Sequence, residues 1–358
     1  MHNSKKIITM DLETRVINGI MSSYCVSVYD GKVFKSFYLS DFSSNAEKEM
    51  LRESILYLMK RKYHNYKVYL HNFSRFDAVF LLTTITEICD NVLPIKRDSN
   101  FINIKLIFAN KYCLYFRDSF LLLPSSLRNL AISFEVENKG IFPYKFVNNN
   151  NIPLNYAGKV PEFHLFNDIT EKEYESYSSE YKNNDWNLKT ETIKYCELDC
   201  RVLYQLIDKF SDLIFNMFRV DILKYSTLSS LAFAIFRILF LKDSKIPLIH
   251  GEMYDFIKES YTGGSVDVYK PKPSQNKKVY RYDVNSLYPY AMKNYPMPVG
   301  EPTYFEGNIL QDYDYDPNNK PFGIFEVDVI SPSNIKLPLL QTRVKTGKYN
   351  RTVAPIGS

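Results

Sequence analysis

The sequence contains no hydrophobic run long enough to cross a bilayer as a helix. The longest, Leu231 to Leu241, is broken by Arg237 and falls short of the roughly 18 apolar residues such a span needs, so no membrane partner is expected. Cysteine is scarce. Cys25, Cys89, Cys113, Cys196 and Cys200 are odd in number and show no C-x-x-C spacing, which argues against a disulfide framework or a zinc site and suits a reducing compartment. The start, Met1-His2-Asn3-Ser4-Lys5-Lys6, carries no apolar stretch or small-residue cleavage site, so no secretion signal is readable. One Trp stands against 29 Tyr and 25 Phe, with abundant Lys, Asn and Ile. That is the bias of AT-rich coding DNA, so aromatic abundance alone does not mark a base-stacking surface. Neither charge dominates: 45 Lys and Arg oppose 40 Asp and Glu, and a net +5 permits a polyanionic partner without naming one.

What is present suffices for one or two ordinary cores, since 45% of the 358 residues are hydrophobic, and two domains are the expected count. Ile7 to Leu12, Ser23 to Tyr29 and Val33 to Leu39 read as strands, the last two joined by an Asp30-Gly31 turn. Helical spacing follows over 44–62, then a strand from Lys67 to Leu70. This order predicts a mixed α/β sheet covered by helices. Polar stretches near Asn148 to Asn151 and Ser178 to Asn184 read as loops. Asn187 to Phe218 reads as one long helix with no Pro or Gly to stop it, and a further helix-rich stretch runs to Leu241. A domain boundary is placed near residue 219, giving domains 1–218 and 219–358, and a strand is expected at Val279 to Val284.

Three constellations carry carboxylates. Asp11 and Glu13 lie two apart on a strand and so share one face, with Met10 and Leu12 on the other. A bare D-x-E also suits an exposed strand end. Asp77 closes the string His71-Asn72-Phe73-Ser74-Arg75-Phe76-Asp77 ahead of an apolar helix, where it could equally cap that helix. Tyr195 and Asp199 are four apart on the long helix and share its face, which a half-buried pair would also explain. Together they supply four carboxylates, the oxygen-only donor set that selects Mg²⁺ or Mn²⁺ and suits two ions about 3.5–4 Å apart.

In this order the three strings resemble the D-x-E, N-x(2–3)-F/Y-D and Y-x(3)-D motifs of the 3′–5′ exonuclease domain of family B DNA polymerases. The resemblance implies an RNase H-like exonuclease fold in which Asp11, Glu13, Asp77 and Asp199 hold the metals and Tyr195 orients the attacking water. It also implies that Thr14, Asn72 and Phe76 contact a single-stranded 3′ end. Lys139-Gly140-Ile141-Phe142 matches a motif of the protein-primed branch, implying that Lys139 neutralises developing phosphate charge, and Tyr144 matches an aromatic DNA contact beyond it. Ser119-Phe120 stands where that branch has a Ser-Leu pair that touches DNA, and Ser126-Leu127 offers an alternative.

Further on, Tyr282-Asp283-Val284-Asn285-Ser286-Leu287-Tyr288-Pro289 resembles the first palm motif of the same family, and Tyr261-Thr262-Gly263-Gly264 its Y-x-G-G/A linker. By that resemblance Asp283 and the Val284 carbonyl hold catalytic metals, Ser286 and Leu287 hold the triphosphate, and Tyr288 lies under the sugar. Tyr261, Gly263 and Gly264 would bind template, and Lys270, Lys272, Lys277, Lys278 and Arg281 either track phosphates or are simply solvated. The family's second palm aspartate pair, D-T-D, and its fingers motif are missing from the sequence. The expectation is therefore a complete exonuclease followed by a partial palm and the start of a terminal-protein-binding insertion. Expected partners are DNA as a 3′ end and primer-template, deoxynucleoside triphosphates and a terminal protein primer. The likeness is to polymerases of fungal and plant mitochondrial linear plasmids, which implies a mitochondrial setting and a truncated gene. An inactive nucleic-acid-binding remnant and a stand-alone exonuclease are the competing readings.

Overall fold

The computed structural model describes every residue except 1–4, 44, 99, 139, 150, 168, 183, 242–246, 262, 264–269, 273, 275–276, 312–317, 319–321, 336–339, 348 and 355–358. Strands β1 (Ile7–Ile17), β2 (Ile20–Tyr29) and β3 (Phe34–Tyr38) form an antiparallel meander, followed by helix α1 (Ala46–Leu58), strand β4 (Lys67–Leu70) and helix α2 (Asp77–Ile88). Three more strands come next: β5 (Asn91–Arg97), β6 (Asn100–Phe108) and β7 (Tyr112–Asp118). They complete a seven-stranded mixed sheet in the order β3-β2-β1-β4-β7-β6-β5, with β4 parallel to both β1 and β7.

Alternation along β1 decides what each face receives. Ile8, Met10 and Leu12 enter the core beneath α1 and α2, together with Met50, Ile55, Leu81 and Ile85. Each such side chain contributes about 1.5–3 kcal/mol when fully buried. Ile7, Thr9, Asp11 and Glu13 take the opposite face, as the period of two requires. A bulge between Glu13 and Thr14 then breaks the register with β2, sharpening the local twist just past the two carboxylates.

The second face is covered by helix α3 (Leu127–Ser133), the short helix α4 (Tyr144–Val147) and the 31-residue helix α6 (Leu188–Phe218). Between them lie helix α5 (Glu171–Ser179) and the two-residue strands β8 (Ala157–Gly158) and β9 (Trp186–Asn187). Asn187 caps α6 by accepting the Thr190 N–H at 3.0 Å. Leu203, Leu206, Ile207 and Phe210 form the stripe that packs α6 down. Polar bonds fix its register on the sheet: the Thr9 hydroxyl donates to the Cys200 carbonyl at 2.7 Å, and the Ser36 hydroxyl donates to Glu197 at 2.7 Å.

The chain divides into two compact units, 1–242 and 243–358. The first extends well past residue 219, where the composition changes. Val220, Ile222 and Leu223, and Leu231 of helix α7 (Leu228–Phe236), are buried with α6, and the buried Arg117 donates to the Leu223 carbonyl at 2.8 Å. The second unit holds helices α8 (Gly251–Glu259) and α9 (Leu287–Asn294) and the hairpin β10 (Thr342–Thr346) with β11 (Tyr349–Val353). No described residue in it is buried. The strand expected at Val279 to Val284 is not formed: these residues are exposed and pair with no other strand, and an isolated strand has nothing to satisfy its backbone.

Limited trypsin digestion of the whole chain should therefore cut first around Lys270 to Arg281 and leave β1 to α7 intact, because opening free energy follows buried contact. Mass spectrometry of the early fragments checks this, and initial cleavage within β1 to β7 would contradict it.

Candidate active site

Four carboxylates from three separate elements meet at one cleft of about 300 Å³. β1 delivers Asp11 and Glu13, the first residue of α2 delivers Asp77, and α6 delivers Asp199. Glu13, Asp77 and Asp199 are 5%, 3% and 5% exposed, so the competing exposed-strand-end reading of the D-x-E pair does not hold. Thr14, Asn72, Phe76 and Tyr144 line the same cleft. Sequence reasoning passed over Val16, Met21 and Asn148, which also line it. Val16 and Met21 face each other across the β1–β2 hairpin, and the Val16 N–H donates to the Asn148 side-chain oxygen at 2.9 Å.

The segment between β4 and α2 is a tight turn. Asn72 is left-handed (φ 67) and precedes the 3-10 turn Phe73–Arg75. Phe73 is fully buried as the apolar anchor of this turn, while Ser74 donates its hydroxyl to the Phe101 carbonyl at 2.9 Å. His71, also on the cleft wall, donates from Nε2 to the Ser125 carbonyl at 2.9 Å, and its Nδ1 lies 3.0 Å from the Ser119 hydroxyl. Ser119 itself is fully buried, with its hydroxyl donating to the Leu70 carbonyl at 3.1 Å. β7 ends beneath the turn, so Ser119, expected to touch DNA, is packed behind His71 as part of the turn's support. Ser126 is exposed and caps α3 by accepting the Asn129 N–H at 3.3 Å.

Tyr195 stands one helical turn before Asp199. It accepts the Tyr144 hydroxyl hydrogen at 2.7 Å, and its ring lies 5.0 Å from that of Phe142. Gly140 lets the preceding loop close over this ring, since a Cβ there would sit 3.0 Å from both Tyr195 and Leu198. Lys139, expected to face the cleft, lies outside the described residues. Behind Asp11, the Cys196 thiol donates to the Asp11 carbonyl at 3.4 Å.

Burial, and after it neighbouring charge, raises the pKa values here. Burial, then Cys196, Glu13, Asp199 and Asp77, push Asp11 well above the usual carboxylate range. Burial pushes Asp77 up to about 8, with Asp118 and Cys196 adding to the shift while its own backbone N–H opposes it. Burial and Asp199 likewise raise Tyr195, which keeps its proton. Among the described residues no Lys or Arg lines the cleft. A hard-oxygen donor set of this kind fits divalent cations such as Mg²⁺ or Mn²⁺. Asp11, Glu13 and the Cys196 sulfur also lie close enough together to share an ion.

The palm-type residues are not gathered into a site. Asp283, Val284, Ser286, Leu287 and Tyr288 are exposed, with Ser286 left-handed (φ 53) as it starts α9. Tyr261 and Gly263 are exposed too, whereas Thr262 and Gly264 lie outside the described residues.

Fold and site thus define an α/β protein with a carboxylate-lined cleft between its central strand, a helix start and a long helix. The chain belongs to the type B DNA polymerases of organelles and viruses, the family described as "DNA polymerase type B, organellar and viral", which it matches over residues 57–358. It is 39% identical over 381 aligned residues to a probable DNA polymerase of Neurospora intermedia, covering 98% of this chain and 39% of that one. A probable DNA polymerase of Ascobolus immersus is 39% identical over 369 residues, covering 99% and 30%. The DNA polymerase of human adenovirus A serotype 12 is 28% identical over 272 residues, covering 63% and 24%. The chain therefore spans 39% or less of the length of these relatives. Among solved structures, phi29 DNA polymerase complexed with single-stranded DNA superposes with a TM-score of 0.46 at 16% identity, over 72% of this chain and 39% of that one.

The raised carboxylates predict how metal-free protein responds to pH. A carboxyl whose folded pKa lies above its unfolded value stabilises the fold fully below the unfolded value, near 4, and loses that contribution as pH rises through the folded value. In EDTA the unfolding temperature should fall between pH 6 and pH 9 by several degrees, at about 2–4 °C per kcal/mol for a unit of this size. Asp77→Asn should flatten the fall, and Mn²⁺ should restore the midpoint at pH 9 by binding the ionised form. Calorimetry checks this, and a midpoint in EDTA that ignores both pH and Asp77→Asn would contradict it.

Proposed function

We propose that this chain carries the 3′–5′ exonuclease of a protein-primed family B DNA polymerase, followed by the front part of its polymerase domain. The observation that carries the reading is the meeting of Asp11, Glu13, Asp77 and Asp199 in one cleft, beside Thr14, Asn72, Phe76 and Tyr144. The substrate is a single-stranded DNA 3′ end and the product a mononucleotide. Two Mg²⁺ or Mn²⁺ ions, held by the four carboxylates, would supply activation of water and charge neutralisation at the phosphodiester.

The chain's own groups do the rest. Asn72, Phe76 and Thr14 grip the terminal nucleotide, the aromatic ring by packing and the amide and hydroxyl by hydrogen bonds. Tyr195 stays protonated at neutral pH and can therefore donate a hydrogen bond toward the attacking water, while the Tyr144 hydroxyl holds it in place. Lys139 is proposed to meet the phosphate as its charge builds.

For the polymerase part, Asp283 and the Val284 carbonyl are proposed metal ligands, Ser286, Leu287 and Tyr288 the deoxynucleotide contacts, and Tyr261, Gly263 and Gly264 template contacts. They belong to a reaction that needs the D-T-D and fingers segments, so nucleotide addition by this chain alone is not expected. DNA, deoxynucleoside triphosphates and a terminal protein are the proposed partners of the longer enzyme. A mitochondrial linear plasmid is the proposed setting.

Purified chain with 5′-labelled oligothymidylate and Mg²⁺ should release mononucleotides. The Asp11→Ala/Glu13→Ala variant should release none above background, and Tyr195→Phe should slow release roughly 10- to 100-fold, the scale of one lost transition-state hydrogen bond. Denaturing gels read the ladder. A folded, Mn²⁺-binding wild type that leaves the oligonucleotide intact would make the chain a nucleic-acid-binding remnant, and degradation of RNA alone would make it a stand-alone RNase.

A further inference from the structure

The end of β7 supplies a support that the four-carboxylate reading does not use. Asp118 is its last residue, 2% exposed and paired with Leu70 at the end of β4. Three backbone donors converge on its carboxylate: Oδ1 accepts the Asn72 and Phe120 N–H groups at 3.0 Å each, and Oδ2 accepts the Ser74 N–H at 2.9 Å.

A residue placed like Asn72, at the head of a short turn, ordinarily accepts the N–H two positions on with its own side chain. Here no such bond forms from Asn72. Asp118 takes the Ser74 N–H instead, and takes the Asn72 N–H as well, so Asn72, a residue of the cleft lining, does not spend its side chain on capping its own turn. The same two bonds steady the left-handed conformation of Asn72 (φ 67). Beyond the turn, the chain runs directly through Phe76 into Asp77.

We propose that Asp118 is the positioning residue for single-stranded DNA, acting through Asn72 by performing the capping that would otherwise consume the Asn72 side chain. The proposal rests on the exonuclease reading, since the cleft must receive a DNA end. The chemistry demands a carboxylate. Both of its oxygens accept, whereas the amide of Asn would turn an NH₂ toward one of the three N–H donors.

A double-mutant cycle on the full chain tests it, with Asp118→Asn, Asn72→Ala and the pair together. Binding of fluorescein-labelled oligothymidylate is read by anisotropy in EDTA, mononucleotide release in Mg²⁺, and folding by thermal melt. Each single change should weaken binding and raise KM roughly tenfold, on the order of one lost charge-assisted hydrogen bond. The double variant should bind no more weakly than the weaker single, because the second change removes something already lost. Losses that multiply to roughly a hundredfold, or wild-type binding by Asp118→Asn, would overturn the proposal. Should Asp118→Asn not fold, Asp118→Glu, which keeps the charge and displaces it by one methylene, carries the same cycle. A wild type that binds DNA without cleaving it removes the exonuclease reading while the cycle still decides the role of Asp118. A wild type that neither binds nor cleaves overturns both.

Discussion

Repulsion among carboxylates held in one cleft is the constraint around which this structure is arranged. Two unit charges 4 Å apart interact by about 1 kcal/mol in water and by about 4 kcal/mol at the effective dielectric near a protein surface. Asp11, Glu13, Asp77 and Asp199 would separate unless a rigid frame held them. The frame is a central strand buried on both faces, a helix start fixed by a tight turn, and a 31-residue helix pinned to the sheet by its apolar stripe and by Thr9 and Ser36. The mark of the repulsion, added to that of burial, is the raised pKa of Asp11, which Glu13, Asp199 and Asp77 all push up. Unfavourable electrostatics without a cation become favourable binding with one, which is how a fold can store affinity for a divalent ion.

Around the carboxylates runs a layer that touches no expected ligand and yet sets their geometry. The bulge after Glu13 bends β1 away from regular pairing. Gly140 allows a loop to close on Tyr195, whose position depends on Phe142 and Tyr144. Asp118 and Ser119 at the end of β7 hold the turn that bears Asn72 and Asp77. Each is a close contact between groups far apart in sequence. The second unit offers a contrast: its described residues include the specific palm-type string around Asp283, but no buried side chain to hold that string in a working arrangement.

Much of the first unit was legible beforehand. β1, β2, β3, α1, β4 and α6 all carry periodicity that declares them, and the strand period put Asp11 and Glu13 on one face, as found. The β5–β6–β7 strands were passed over, although Tyr112 to Phe116 is as aromatic and apolar as β1. With them went Asp118, whose only local sign was an acidic residue closing the strand after Arg117. The burial of Ser119 was illegible for a related reason: a motif position reports which residue stands there, not whether the next layer of the fold covers it. The return of Val220, Ile222, Leu223 and Leu231 to the core of α6 was not legible, because a change in composition near residue 219 does not record where a chain folds back.

Residue types and their order are properties of the chain alone: the three carboxylate strings, their spacing on strand and helix, the palm-type string, and through these the family. Spacing of two on a strand and four on a helix is a local property, set by backbone geometry, so it survives without knowledge of the rest. That the three strings share one cleft, that burial raises Asp77 and burial with neighbouring charge raises Asp11, and that Asp118 holds the turn bearing Asn72 came only from the tertiary arrangement. Those outcomes depend on distances between segments from 40 to nearly 190 residues apart, which no local pattern encodes and which packing of β4 against β1 and β7, and of α6 across the sheet, alone brings about.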